Sequence, residues 1–127
     1  MEKIISPFEN LLDMFIAEKK KGFCRIGISF REDLTNPHGN FHGGVIASLV
    51  DTATVQSLRT LIPHGPYLTV NLDIRYKNPS TDKQIFAEAK PTQLKGKFFL
   101  THVKVKDTEN KVIAEAKVKS FLPAWRT

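Results

Sequence analysis

The first apolar positions of the chain recur at three- and four-residue spacing between residues 8 and 16. This spacing predicts a helix with one buried face. Ser6, Pro7 and Glu9 fit a capping box with proline at the first helical position, so the helix is predicted to begin there. Lysines followed by glycine at residues 19–22 predict its end.

Apolar and polar positions alternate in much of the remaining chain, and this alternation predicts strands. The first strand is predicted around residues 24–30. Turn-forming residues at 94–97 and 107–111 separate the last three strands. The four later strands are predicted at residues 68–76, 84–91, 97–106 and 112–122.

A second, longer helix is predicted over residues 43–61, because apolar residues occupy most of its circumference. Such a helix cannot lie on a wet surface, so the sheet must curl around it. The order is helix, strand, long helix and then four strands, which is typical of an α+β fold with an antiparallel sheet. The 127 residues suffice for a single domain, residues 1–127.

The composition fits a soluble globular protein, since hydrophobic residues make up 41% of the chain and charged residues 25%. No apolar stretch reaches the roughly eighteen residues that a membrane span requires. The apolar N-terminal residues are interrupted by acidic ones and lack a signal-peptide cleavage site, so a cytoplasmic location is expected. Cys24 is the only cysteine, which excludes an internal disulfide.

The chain carries a formal net charge of +6, which favours an anionic partner. Nucleic acid is one candidate, but the lysines are scattered and no nucleic-acid-binding motif accompanies them. No nucleic-acid partner is therefore predicted. A small polyanion would suit the charge equally well, and charge alone does not choose between the two.

Asp51 is the candidate for chemistry on the long helix. At about 100° per residue, it falls outside the sector of polar side chains and among apolar ones. A carboxylate in such surroundings must be partnered, covered by another subunit or functional. An exposed carboxylate on an ordinary helix is the alternative. The polar sector contains Ser48, Thr52, Gln56 and Arg59, and the apolar neighbours are Ala47, Val55, Leu58 and Ile62.

His42, Gly43 and Gly44 stand at the start of the same helix. The first backbone N–H groups of a helix are unsatisfied and carry partial positive charge. Glycine lets a ligand approach that backbone closely. A carbonyl oxygen that gains negative charge would be stabilised there, as in an oxyanion hole. A glycine-rich helix entry without a ligand is the alternative.

These residues belong to one longer motif, in which an asparagine precedes His-Gly-Gly by six residues and an aspartate follows the first of those glycines by eight. The motif resembles the signature of hotdog-fold acyl-CoA thioesterases of the phenylacetate-pathway (PaaI-like) type. The resemblance implies a hotdog fold, with the antiparallel sheet wrapped around the long helix, and hydrolysis of an acyl-CoA substrate. It also implies a homodimer at minimum and leaves a tetramer open. The residues that carry it are Asn36-Pro37-His38-Gly39-Asn40-Phe41-His42-Gly43-Gly44 and Leu49-Val50-Asp51.

The resemblance also implies a role for each catalytic residue. Asp51 matches the carboxylate that acts as general base on water or as nucleophile toward the thioester. Gly43 matches the residue whose backbone N–H polarises the thioester carbonyl. Asn36 matches the side chain that orients the water or holds the leaving group, His42 steadies the site, and Thr69 helps to place the water. In the family, aspartate and threonine come from one subunit and the other three residues from its partner.

Contacts to the acyl group and to CoA are expected from residues beside this motif. Apolar residues could line an acyl pocket, and either aromatic or aliphatic acyl groups would fit such a lining. The lysines that flank the turn glycine Gly96 are expected near the CoA phosphates, with plain solvated charges as the alternative. The expected substrate-binding residues are Gly44, Phe41, Val55, Leu58, Ile62, Lys95 and Lys97.

Two other functions stay open. One is a hotdog hydratase or dehydratase that acts on acyl thioesters, and the motif between Asn36 and Asp51 argues against it. The other is a non-catalytic acyl-CoA-binding module. Asp51 argues against that, because binding alone would not favour an uncompensated carboxylate beside a thioester. His38 and His42 lie four residues apart without a third ligand in view, so neither a metal nor another cofactor is predicted.

Overall fold

The structure is a computed structural model that describes residues 2–3 and 6–123. A single long helix and seven strands account for most of this part of the chain. The elements are β1 (Glu2–Lys3), α1 (Pro7–Leu11), β2 (Phe15–Lys20), β3 (Phe23–Ser29), a 3₁₀ turn (Glu32–Leu34), α2 (Gly43–Arg59), β4 (Leu68–Tyr76), β5 (Gln84–Gln93), β6 (Phe98–Asp107) and β7 (Val112–Phe121).

One antiparallel sheet contains all the described strands, in the order β1-β2-β3-β5-β6-β7-β4. The predicted first strand is β3, and the four strands predicted after the long helix are β4 to β7, each within two residues of its predicted limits. The long helix is confirmed as α2, which ends at Arg59 rather than at residue 61. It contacts β3 through β7, so the sheet curls around this helix as predicted.

The N-terminal helix is much shorter than predicted. It begins at Pro7 as expected, but the Ser6 side chain makes no capping hydrogen bond, no residue of the helix is buried, and it ends at Leu11. The chain then turns at Asp13, which has a φ of 54°. Residues 15–20 pair with β3 instead of continuing the helix. Aromatic and β-branched residues favour strands, and pairing with the neighbouring β3 satisfies backbone groups that a short isolated helix would leave exposed.

The main hydrophobic core lies between α2 and the inner face of the sheet. Leu49 and Val50 from α2 are fully buried there, together with Ile26 of β3 and Val105 of β6. The alternation seen in the sequence therefore reports the two faces of the sheet, one against α2 and one toward solvent.

A second, smaller core closes the C-terminal end of α2. It contains Leu58, Tyr67, Phe99 and Leu122, with Ile62 packed against them. The Tyr67 hydroxyl lies 2.6 Å from the carbonyl oxygen of Ile62 and 3.1 Å from that of Leu58. Burial raises the pKa of Tyr67, so the hydroxyl stays a donor. It thereby satisfies the carbonyl of Ile62, just beyond the helix end, and adds a donor to the Leu58 carbonyl, which also accepts from the N–H groups of Leu61 and Ile62.

Strand β4 forms one edge of the sheet and is exposed along most of its length. Among the residues that the structure describes, only one side of it is paired, with β7, and the ladder is interrupted between Thr69 and Asn71. Several of its apolar side chains are open to solvent, among them Leu68, Val70 and Tyr76. An exposed apolar edge strand is a template for pairing with another chain.

We expect Tyr67→Phe to lower the free energy of unfolding by about 1–2 kcal/mol. The substitution keeps the ring that packs edge-on against Phe99 at 5.7 Å between centroids, but removes the hydroxyl donor to the Ile62 carbonyl. The Leu58 carbonyl keeps its backbone donors. Urea denaturation measures the change. An unaltered denaturation midpoint would contradict the assigned role of the hydroxyl.

Candidate active site

The N-terminus of α2 presents one unclaimed backbone donor. His42 is the N-cap residue, and its Nδ1 accepts a hydrogen bond of 2.8 Å from the N–H of Gly44. The N–H of Gly43 has no hydrogen-bond partner among the described residues. Of the two glycines predicted to meet the substrate, only Gly43 therefore has a free N–H directed away from the helix.

Asn36 organises the loop that leads to this helix. Its side-chain Oδ1 accepts hydrogen bonds from the N–H groups of His38 (2.9 Å) and Asn40 (3.1 Å). The loop is closed by Gly39, which has a positive φ of 82° and donates to the Asn36 carbonyl. Because Oδ1 is occupied, the group that Asn36 can offer to a ligand is its amide N–H₂ donor.

Asn36 and Gly43 line one cavity of about 310 Å³ together with Tyr76. The Tyr76 hydroxyl donates a 2.8 Å hydrogen bond to the Gly43 carbonyl oxygen, and its ring lies 3.5 Å from where a Cβ on Gly43 would be. Tyr76 thus fixes the start of α2 against β4. The sequence did not reveal this residue, since its position in an alternating strand carries no sign of a contact 33 residues away.

Asp51 and Thr69 meet at a second cavity, of about 400 Å³, on the open face of α2. The Thr69 hydroxyl donates a 2.6 Å hydrogen bond to Asp51 Oδ1. Asp51 is half-buried, and no other hydrogen bond or ion pair to it occurs within the described part of the chain. One carboxylate oxygen is therefore held by the threonine while the other can accept a proton or attack a substrate.

The walls of the Asp51 cavity differ from the predicted lining. Val55 contributes to it as expected, whereas Leu58 is fully buried in the smaller core and Phe41 is buried against Phe30 at the Asn36 cavity. The polar sector that was predicted to lie apart from Asp51 borders the same cavity. Residues that sequence reasoning missed or placed elsewhere are Phe8, Leu72, Ser48, Thr52, Gln56 and Arg59.

The five predicted catalytic residues do not come together within one chain. Gly43 and Asp51 are eight residues apart on α2, and at about 1.5 Å per residue this separates them by roughly 12 Å along the helix axis. Asn36, His42 and Gly43 form one half-site, and Asp51 with Thr69 forms the other. The basic turn with the exposed Lys95 and half-buried Lys97 lies between β5 and β6 and borders neither cavity.

Residues 2–3 and 6–123 contain no group of three or more histidine, cysteine, aspartate or glutamate side chains placed to hold a metal ion. Within the same residues, no helix has the length and apolar character needed to cross a membrane. The groups that the two half-sites offer to a substrate are a carboxylate, a hydroxyl, a side-chain amide and a backbone N–H.

Comparison with known proteins finds a consistent set of relatives. The sequence model of the thioesterase superfamily matches residues 38–114. A putative esterase from Archaeoglobus fulgidus is 32% identical over 109 residues, which cover 84% of this chain and 69% of that protein. A putative esterase from Saccharolobus solfataricus is 26% identical over 107 residues, covering 84% of this chain and 71% of the relative.

Solved structures share the architecture. A protein of the thioesterase superfamily is 27% identical, with a TM-score of 0.85 over 93% of this chain and 90% of that one. PaaI from the phenylacetic acid degradation operon of Escherichia coli has a TM-score of 0.86 at 18% identity, over 94% of this chain and 86% of that one. A variant of PaaI from Thermus thermophilus has a TM-score of 0.84 at 24% identity, over 93% and 100% of the two chains. These likenesses confirm the hotdog fold.

Proposed function

The chain belongs to the thioesterase superfamily, and from that premise we propose that it hydrolyses acyl-CoA thioesters to a free acid and CoA. Membership of the family supports thioester hydrolysis in general, and the CoA carrier is the proposed part. The observation that carries the proposal is the 2.6 Å hydrogen bond between Thr69 and Asp51, which orients a carboxylate at an open cavity.

Asp51 can cleave the thioester in either of two ways. As general base, it takes a proton from water while the water oxygen bonds to the carbonyl carbon, and the carbon–sulfur bond then breaks. As nucleophile, it bonds to that carbon itself and releases the thiolate, and water hydrolyses the resulting anhydride. Thiolate is a good leaving group that needs little acid assistance. In both routes Thr69 holds one carboxylate oxygen and leaves the other to react.

The thioester carbonyl needs a donor for the negative charge that develops on its oxygen. The unclaimed N–H of Gly43 at the start of α2 is suited to this, because the helix dipole adds partial positive charge at that end. The amide N–H₂ of Asn36 lines the same cavity as Gly43 and can hold the water or the leaving group. His42 occupies its Nδ1 in capping α2, which supports a role in fixing the Gly43 backbone.

Pairing with a second copy of the chain brings Asp51 and Thr69 close to the Asn36–Gly43 cavity of the partner. The Thr69–Asp51 pair and the Tyr76–Gly43 pair lie toward opposite ends of β4. When two β4 edges pair antiparallel about a twofold axis, the Thr69 end of one strand meets the Tyr76 end of the other. Asp51 of each copy then faces Gly43 and Asn36 of its partner. The free, apolar edge of β4 supports this assembly.

The acyl group is assigned to the cavity beside Asp51, where Phe8, Val55 and Leu72 supply apolar surface. Its size, about 400 Å³, falls within the range of small-molecule pockets. This lining accepts an aryl or an alkyl acyl group, so a panel of phenylacetyl-, hydroxybenzoyl- and straight-chain acyl-CoAs is the appropriate assay. A role of Lys95 and Lys97 toward the CoA phosphates stays a prediction, since the turn that carries them borders neither cavity.

We expect Asp51→Asn to lower kcat by about a hundredfold or more, because it removes the basicity and the charge of a positioned general base. The asparagine side chain keeps the volume and most of the hydrogen bonds of the aspartate, so acyl-CoA binding should change little. Release of free CoA, followed with a thiol reagent, measures turnover. Glu9→Gln is the matched control, since Glu9 borders the same cavity. Near-normal turnover of Asp51→Asn would mean that Asp51 is structural.

Mixing Asp51→Ala with Asn36→Ala should restore activity if the site is shared. In an equal, freely exchanging mixture about half of the dimers are hybrids, each with one intact site, so about a quarter of all sites work. Mixing Asp51→Ala with Thr69→Val is the control. Both substitutions fall in the Asp51–Thr69 half of the site, so neither of the two complete sites in a hybrid dimer is intact. Failure of the first mixture to recover activity, with subunit exchange verified, would rule out a shared site.

Val70→Lys should convert the dimer to a monomer and abolish activity together with it. Val70 is 55% exposed on the free edge of β4, and a lysine on an edge strand opposes strand pairing. Sedimentation analysis and the thiol assay follow the two effects. Leu94→Lys is the control, since Leu94 is 39% exposed at the turn between β5 and β6. A fully active monomer would contradict the proposed assembly.

A further inference from the structure

The inner face of β7 carries one hydroxyl in an otherwise apolar row. Ala114, Ala116, Val118 and Ser120 alternate along this face and are all buried against the interior. Ser120 is fully buried, and its Oγ has no hydrogen-bond partner among the described residues. A buried polar atom without a partner is uncommon and costly. Packing alone would be served better by alanine at this position.

The position of Ser120 relative to the Asp51 site is specific. In the ladder between β4 and β7, Ser120 stands directly opposite Thr69. The side chains of such a pair start about 5 Å apart at Cβ. Thr69 commits its hydroxyl hydrogen to Asp51 Oδ1, which leaves the lone pairs of Thr69 Oγ1 as acceptors. Ser120 thus has an unused donor beside the acceptor of the residue that holds the carboxylate.

We propose that Ser120 is a positioning residue that acts on Asp51 through Thr69. Rotation about its χ1 bond turns the Ser120 hydroxyl toward Thr69 Oγ1, and the resulting chain of hydrogen bonds runs from Ser120 to Thr69 to Asp51. A hydroxyl that accepts one hydrogen bond donates a stronger one. Ser120 thereby keeps Thr69 in the rotamer that faces the carboxylate. The kinetic consequences rest on the proposed function of Asp51.

Thr101 provides a matched control within the same interior. It is also fully buried, and its Oγ1 also lacks a hydrogen-bond partner in the described residues. It lies on β6 opposite Val118 and is not paired with β4. Thr101→Val and Ser120→Ala therefore each remove one buried, unpartnered hydroxyl, but only Ser120→Ala removes one that faces Thr69.

We expect Ser120→Ala to lower kcat about tenfold, the factor of one ordinary hydrogen bond, with KM unchanged. Thr101→Val should keep the unaltered kcat. In the Thr69→Val background, Ser120→Ala should have no further effect on kcat, since the residue it acts through is gone. Full kcat in Ser120→Ala, an equal loss in Thr101→Val, or an undiminished effect beside Thr69→Val would overturn the proposal.

A measurement without substrate separates this proposal from the proposed function. Three-bond NMR couplings report the χ1 rotamer of Thr69. We expect one rotamer in the unaltered protein and in Thr101→Val, and averaging over rotamers in Ser120→Ala. If the unaltered protein cleaves no acyl-CoA but Ser120→Ala releases the Thr69 rotamer, the proposed function fails and the positioning role stands. A single Thr69 rotamer in Ser120→Ala would overturn the positioning role whatever the enzyme does.

Discussion

The enclosure of α2 by the sheet is the constraint on which the rest of the structure depends. One face of this helix must be apolar, because it contacts β3 through β7 and its burial forms most of the core. At its two ends, the His42 side chain accepts from the Gly44 N–H and the Tyr67 hydroxyl donates to the Leu58 carbonyl. Within the described part of the chain, the opposite face of α2 and the N–H of Gly43 are left without such contacts. The candidate site therefore lies on the face of α2 that does not pack into the core, and at the N-terminus of this helix.

Much of the fold could be predicted because the hydrophobic residues of each segment follow a single spacing, either that of a strand or that of a helix. The alternation in β3 to β7 and the apolar stretch in α2 leave little ambiguity. The Asn36–Asp51 motif indicates the candidate site through its resemblance to a thioesterase signature. The N-terminal segment could not be predicted in this way. Residues 8–16 fit a helix by spacing, yet β3 offers part of them a pairing partner that local patterns do not reveal.

Contacts across long sequence distances explain what remained hidden in the site. Tyr76 reaches Gly43 from 33 residues away, and a helical wheel contains no information on which side the sheet will cover. The wheel places Leu58 with Asp51 for that reason, although the smaller core buries Leu58 with Tyr67. It gives angular positions correctly but cannot say that Gln56, at 8% exposure, borders the cavity of Asp51.

The separation of Gly43 from Asp51 along one rigid helix has a consequence for the kinetic order of the reaction. A lone chain holds both halves of the machinery but cannot bend α2 to bring them together, so under the proposed assembly it is inert. Well below the dimer dissociation constant, the rate would then rise with the square of protein concentration, and well above it in simple proportion. Subunit abundance would in this way become a threshold for thioester turnover, without any effector or modification.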